Sequence, residues 1–152
     1  MSLPVSLDAL AGELEMLTHE TAVFVNRKTG EVVTVLLSDL GIVEEGREAE
    51  EELEWGEDAV PLLRSIAESD EWFCLPDKFD IHEWEIMREF AESRSRNLAE
   101  ELLNAMRGRG AFRMFKDTLY RHGIEKDWFE FKRLVFKRIA AEALEAEGIP
   151  CT

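Results

Sequence analysis

The sequence predicts an α+β fold: a small antiparallel sheet packed with a helical C-terminal half. Three observations predict it. Residues 21–37 hold two β-branched runs separated by a short polar segment that ends in Gly30, which is the pattern of a β-hairpin. Glu71–Leu75 has strand length and contains the apolar run Trp72-Phe73-Cys74-Leu75, which suits a third strand near 71–75. Beyond Pro76 the apolar residues recur at spacings of three and four, punctuated by Gly108, Gly110 and Gly123, which is the pattern of successive amphipathic helices.

Taken in order, Leu7, Leu10, Leu14 and Leu17 predict a helix over 7–17, with Ser6 as its N-cap and Asp8 in its first turn. The hairpin follows, Thr21–Asn26 and Glu31–Leu37, with Gly30 in the left-handed position of the turn. Both strands are apolar on both faces, so helices are expected to cover at least one side. Residues 44–58 contain nine acidic side chains and one basic one, Arg47. Repulsion at that density predicts a solvated loop or a frayed helix. Calcium-loop spacing is absent there. Pro61 fits the first turn of a short helix carrying Leu62, Leu63, Ile66 and Ala67.

In the second half, Asp80 is expected to cap a helix bearing Ile81, Trp84, Met87, Phe90 and Ala91. Leu98, Leu102 and Met106 mark the next, which ends at Gly108. Gly110 opens a third, with Phe112, Phe115 and Leu119 on its apolar face, stopping at Gly123. Asp127 is expected to cap the last and longest helix. Its apolar positions, from Trp128 through Phe131, Val135, Phe136 and Ile139 to Ala143, cover an arc of about 140°, wider than a minimal stripe.

At 152 residues, 45% hydrophobic and 34% charged, the chain reads as one domain, 1–152. Its N-terminal helix, hairpin and acidic loop occupy 1–75, and its helical part 76–152. The formal net charge is −15, which opposes non-specific attachment to nucleic acid or anionic membrane. The charge is uneven. Residues 1–75 carry four basic and eighteen acidic side chains, whereas residues 102–139 carry ten basic and four acidic ones. The N-terminus lacks the basic start and uninterrupted apolar core of a secretory signal, and no run has the length of a membrane span. Cys74 and Cys151 have no metal-ligand spacing and read as free thiols, Cys74 as part of the core. These features place the protein in the cytoplasm.

The stretch from Leu75-Pro76-Asp77-Lys78-Phe79-Asp80 to Phe90, and the stretch from Leu103 through Gly108-Arg109-Gly110-Ala111-Phe112 to Asp117, followed by Gly123-Ile124 and Trp128-Phe129, resemble an uncharacterised bacterial protein family, number 0158 among the uncharacterised families. The Gly148-Ile149 tail and the Lys28-Thr29-Gly30-Glu31 turn also fit. The likeness spans most of the chain and is sharpest over roughly residues 75–129. It implies a bacterial cytoplasmic protein. The pattern is one of core and turn residues, and the family has no established activity, so the likeness assigns no functional residue.

Catalytic signatures are missing from the sequence. There is no nucleophile-elbow Gly-x-Ser-x-Gly, no Cys/His constellation and no P-loop, because Gly108-Arg109-Gly110 lacks the following Gly-Lys-Ser/Thr. His82 and Glu85 lie three apart on a helix, a spacing open to two metal ligands. No third ligand is evident, and His82 reads as an exposed polar residue. No metal and no cofactor are expected.

The segment from Arg107 to Arg121 stands out. Arg107 and Arg109 flank the junction of two helices, where the second helix presents free N–H groups and positive partial charge. Arg113, Lys116 and Tyr120 fall within about 60° of one another on the helical wheel. This surface predicts an interaction or regulatory module, not an enzyme, that docks an acidic protein partner through Arg107, Arg109, Arg113, Lys116 and Tyr120. The alternative is a nucleic-acid or phosphate-ligand binder, which the net charge opposes. A hydrolase using His82 or an unrecognised carboxylate is a distant third. The competing structural account leaves these cations as a solvated face, or pairs them with acids from residues 1–75.

Overall fold

The computed structural model describes residues 3–45, 53 and 57–152. The described residues form α1 (Leu7–Glu15), β1 (Thr21–Asn26), β2 (Val32–Leu36), α2 (Leu37–Glu44), a 3-10 turn at Glu57–Ala59, α3 (Val60–Glu68), β3 (Trp72–Cys74), α4 (Glu83–Glu92), α5 (Arg96–Ala105), α6 (Ala111–His122) and α7 (Glu125–Ala146). The fold is α+β, with a three-stranded antiparallel sheet and a mostly helical later half. No helix among the described residues is long and apolar enough to cross a membrane. The chain divides into two compact units, Met1–Ile81 with Phe136–Thr152, and His82–Val135.

In the first unit the strand order is β2-β1-β3. The hairpin turn is built around Asn26, a buried polar residue. Its Oδ1 accepts the backbone N–H groups of Lys28 at 2.9 Å and Thr29 at 3.0 Å. The Gly30 N–H donates to the Asn26 carbonyl at 2.9 Å, with Gly30 at φ 77°, where a Cβ is disfavoured. One face of the sheet, through Val35 and Trp72, packs on Leu40 of α2, on Leu63 and Ile66 of α3, and on Leu53. The Trp72 indole N–H donates to Ser65 at 3.0 Å, so this buried ring keeps its polar handle satisfied. On the other face Thr34 donates to Glu13 of α1 at 3.0 Å. There too Phe73 shares a cleft wall with Ala143 and Ala146 at the end of α7. Helices thus cover both faces, which is why β1 buries both sets of side chains. Chain ends meet in a parallel bridge between Val5 and Cys151. Three backbone bonds of 2.9–3.0 Å extend it, linking Val5 to Pro150 and to Thr152, and Leu7 to Thr152.

The second unit contains α4, α5, α6 and residues 125–135 of α7. Its centre is aromatic. Trp128 lies 5.1 Å from Phe115 and 5.4 Å from Phe90, both edge-on, and Phe131 completes the group. Leu102, Met106 and Leu119 fill the remainder. The Trp84 indole N–H reaches the Met106 carbonyl at 3.4 Å, tying α4 to the end of α5.

Several expectations are corrected. α1 stops at Glu15, short of Leu17, which is nevertheless buried. β2 stops at Leu36 and α2 begins directly at Leu37, whose N–H bonds the Glu20 carbonyl at 2.8 Å. Asp80 caps no helix: its carboxylate accepts the Asp77 N–H at 3.1 Å in a local turn, and α4 starts from His82. Asp127 falls inside the first turn of α7, because Gly123 turns the chain at once and the helix begins at Glu125. Cys74 is exposed, since it ends an edge strand, while its neighbours Trp72 and Phe73 are buried. Neither cysteine is in a disulfide. Of the acidic segment 44–58, residues 46–52 and 54–56 lie outside the described residues; Glu44 closes α2.

Candidate functional site

α5 ends at Ala105, and the chain reverses through Gly108 at φ 74° and Gly110 at φ 72°. Those values favour glycine, and they set Arg109 between two left-handed residues. Gly110 caps α6 without a side chain, and the first turn of α6 carries no acid. The first helical bond runs from Met114 N–H to the Gly110 carbonyl at 2.8 Å. The preceding N–H groups therefore face away from the helix's own acceptors.

Arg107, Arg109, Arg113, Lys116 and Tyr120 are all exposed. None of these four cations forms an ion pair among the described residues. Other cations of the same unit are held. Arg121 pairs with Glu101 at 2.9 Å, Lys132 with Glu83 at 2.8 Å and Arg94 with Asp127 at 3.8 Å. The electrostatic tie between α5 and α6 is centred on Glu101, which also accepts from His122 at 2.7 Å. That hydrogen bond first, and the Arg121 guanidinium after it, hold the Glu101 carboxyl below the usual carboxylate range.

α6 buries Phe115, Thr118 and Leu119. Phe112, expected on that apolar face, is instead 47% exposed. It joins Lys116 and Tyr120 in an i, i+4, i+8 row, with Arg113 beside it. The outward side of α6 is therefore aromatic as well as basic. Beside this row lies a cleft of about 170 Å³ between α6 and α7, lined by Lys116, Leu119, Glu125, Trp128, Phe129 and Lys132. The exposure of Phe112 and the existence of the cleft were not read from the sequence. Phe129 held the available signal, because it follows the buried Trp128 and so falls off the apolar stripe of α7.

His82 is exposed at the N-cap of α4, and Glu85 is exposed on its first turn. Among the described residues no group of three or more His, Cys, Asp or Glu is placed to hold a metal ion. A second cleft, of about 360 Å³, is lined by Cys74, Asp77, Asp80 and Glu147 together with apolar residues. Desolvation, helped by the Asp77 and Asp80 carboxylates, pushes the Cys74 thiol up to about 11, which leaves little thiolate at neutral pH.

Comparison of the chain with protein-family models, with curated proteins and with solved structures finds no match.

Proposed function

We propose that the protein is a non-enzymatic interaction module that docks an acidic protein partner on the outward face of α6. One observation carries the reading: Arg107, Arg109, Arg113 and Lys116 are exposed and form no ion pair among the described residues, although the chain has 33 acidic side chains. Phe112, Met114 and Tyr120 are exposed among them. Arginine, aromatic residues and methionine are the types enriched at protein interfaces. Carboxylates of a partner satisfy arginine bidentately, while the rings supply apolar contact. The reading includes a reducing, cytoplasmic setting, in keeping with two free cysteines.

A nucleic-acid backbone or phosphate ligand is the second reading, supported by the free N–H groups at the start of α6. The charge distribution weighs against it. Residues 82–135 carry eleven basic and ten acidic side chains, and the remainder of the chain seven basic and twenty-three acidic. A long polyanion meets repulsion from most of the molecule.

The test is co-purification from native cell extract with the parent chain and with Arg109→Glu/Arg113→Glu. A partner retained by the parent, released by moderate salt and lost from the double mutant supports the reading. Duplex DNA, RNA and nucleotides titrated at low and moderate salt should give no binding. Steeply salt-dependent nucleic-acid binding, or a partner indifferent to the double mutant, overturns it.

A further inference from the structure

We infer that the element docked on α6 is an amphipathic helix, with its acidic residues against Arg113 and Lys116 and an apolar side chain seated in the cleft between α6 and α7. This rests on the acidic-partner reading above and adds the form of the partner.

The cleft joins three apolar side chains, Leu119, Trp128 and Phe129, to three charged ones, Lys116, Glu125 and Lys132. Leu119 and Trp128, 1% and 3% exposed, form its floor, and Phe129, 61% exposed, stands at its edge. Leu119, Trp128 and the exposed Phe129 ring give an aliphatic or aromatic side chain an apolar seat, while the Glu125 carboxylate among the lining residues disfavours a phosphate. Lys116 belongs both to this cleft and to the Phe112–Lys116–Tyr120 row. The basic stripe and the hollow are therefore one continuous surface.

That surface has helical dimensions. Phe112 to Tyr120 spans nine residues of α6, whose eight rises cover about 12 Å along its axis. A second helix laid beside the row repeats its own side chains at i, i+3 or i+4, and i+7, and meets the row and the cleft over two turns. An extended strand has no free sheet edge to join here, because the unit 82–135 has no strand among the described residues.

Charge fixes where the acids fall. Lys132 is held by Glu83 at 2.8 Å and is half removed from the task. Arg113 and Lys116 form no ion pair among the described residues. Glu125 lines the cleft where α7 begins and repels a carboxylate there. The occupant consequently carries acids at the positions that meet α6 and an uncharged or apolar residue toward Glu125.

The experiment titrates the full chain, labelled for NMR, with three synthetic helices of about fourteen residues, roughly four turns each. The first carries leucines on one face and glutamates beside them. Its composition is kept in the second, whose leucines are scattered around the helix. Lysine replaces glutamate in the third. Expected are shifts at Lys116 and Phe129 with the first peptide, at least about tenfold tighter binding than for the other two, and a similar loss in Phe129→Ala and in Lys116→Glu. Circular dichroism of both variants checks that they remain folded. Equal binding of the scattered peptide, or indifference to Phe129→Ala, overturns the helix-in-cleft inference and leaves acidic docking standing. Failure of all three peptides, with a native partner still dependent on Arg109 and Arg113, does the same. Displacement of the first peptide by an RNA oligonucleotide from the same residues overturns both.

Discussion

The indole of Trp128 meets the ring of Phe90 edge-on, with centroids 5.4 Å apart and planes at 69°. This geometry places the positive edge of one ring against the negative face of the other. Phe115 approaches the same indole at 5.1 Å. Truncating a buried aromatic in such a setting costs about 3–5 kcal/mol, so Trp128→Ala should lower the urea midpoint sharply, and Trp128→Phe less so. A double-mutant cycle of Phe90→Leu and Trp128→Leu should return about 0.5–1.5 kcal/mol of coupling. Parent-like melting of Trp128→Ala would mean that α7 does not anchor residues 82–135.

How far the sequence disclosed this arrangement depends on the residue. Phe115 and Leu119 on α6, and Trp128 and Val135 on α7, recur at helical spacing and are buried as that period predicts. Phe112 shares the period of α6 and is exposed, so the period does not by itself decide burial. The hairpin was equally legible, because two β-branched runs and a left-handed Gly leave few other conformations. Caps were less so: Asp80 and Asp127 both precede apolar runs, yet one is engaged in a turn with Asp77 and the other sits two residues inside its helix. Helix α2 was hidden because Leu36 and Leu37 continue the apolar pattern of β2 without a break. At the site, the five polar residues were read from charge and periodicity. The cleft beside them depends on how α6 meets α7, which no local pattern encodes.

Asn26 organises the hairpin turn from a buried position. Asn26→Ala removes the acceptor for the Lys28 and Thr29 N–H groups and should cost about 1–3 kcal/mol in a denaturant titration. The loss should appear with the fold retained, since both strands keep their apolar cover. No change in midpoint would show that water replaces the side chain without penalty.

Glu71 and Lys28 lie 2.9 Å apart. Their mutual hydrogen bond is the largest influence on each, holding Glu71 below the usual 4.5 and raising Lys28 above 10.5. For Glu71 the folded value is the lower one, so its contribution is present above the unfolded value and is lost as pH falls through the folded one. For Lys28 the signs reverse: the contribution is present below 10.5 and is lost as pH rises through the raised value. Carboxyl NMR should place the Glu71 midpoint under 4.5, and Glu71→Gln should flatten the acid limb of the stability profile. A midpoint at or above that value would remove the pair from the account.

Cys74 is exposed yet should be a slow nucleophile. With Cys151→Ser leaving it as the single thiol, its alkylation rate at neutral pH should fall well below that of free cysteine. The rate should climb to an inflection near 11, as only the thiolate reacts. An inflection near that of an ordinary thiol would show that neither the surrounding protein nor Asp77 and Asp80 reach the sulfur.

The two accounts of the basic face diverge most clearly in stability. If Arg109 and Arg113 held the fold together through acids elsewhere in the chain, reversing both charges would strand those acids beside new carboxylates and lower the melting temperature distinctly. Both side chains are exposed and form no ion pair among the described residues. Substitutions at such positions usually stay within about 0.5 kcal/mol. Arg109→Glu/Arg113→Glu should therefore melt close to the parent. Replacing two positive charges by two negative ones makes a net charge of −15 four units more negative and increases self-repulsion, so Arg109→Gln/Arg113→Gln serves as the milder control and should match the parent more closely still. Arg121→Glu supplies the opposite control: it breaks the pair with Glu101 at 2.9 Å and sets two carboxylates face to face, and it should melt lower than either double mutant. Thermal melts of the three variants at low and moderate salt separate the accounts. A large loss in the Gln/Gln variant, undiminished by salt, would assign Arg109 and Arg113 to the fold and withdraw them from docking.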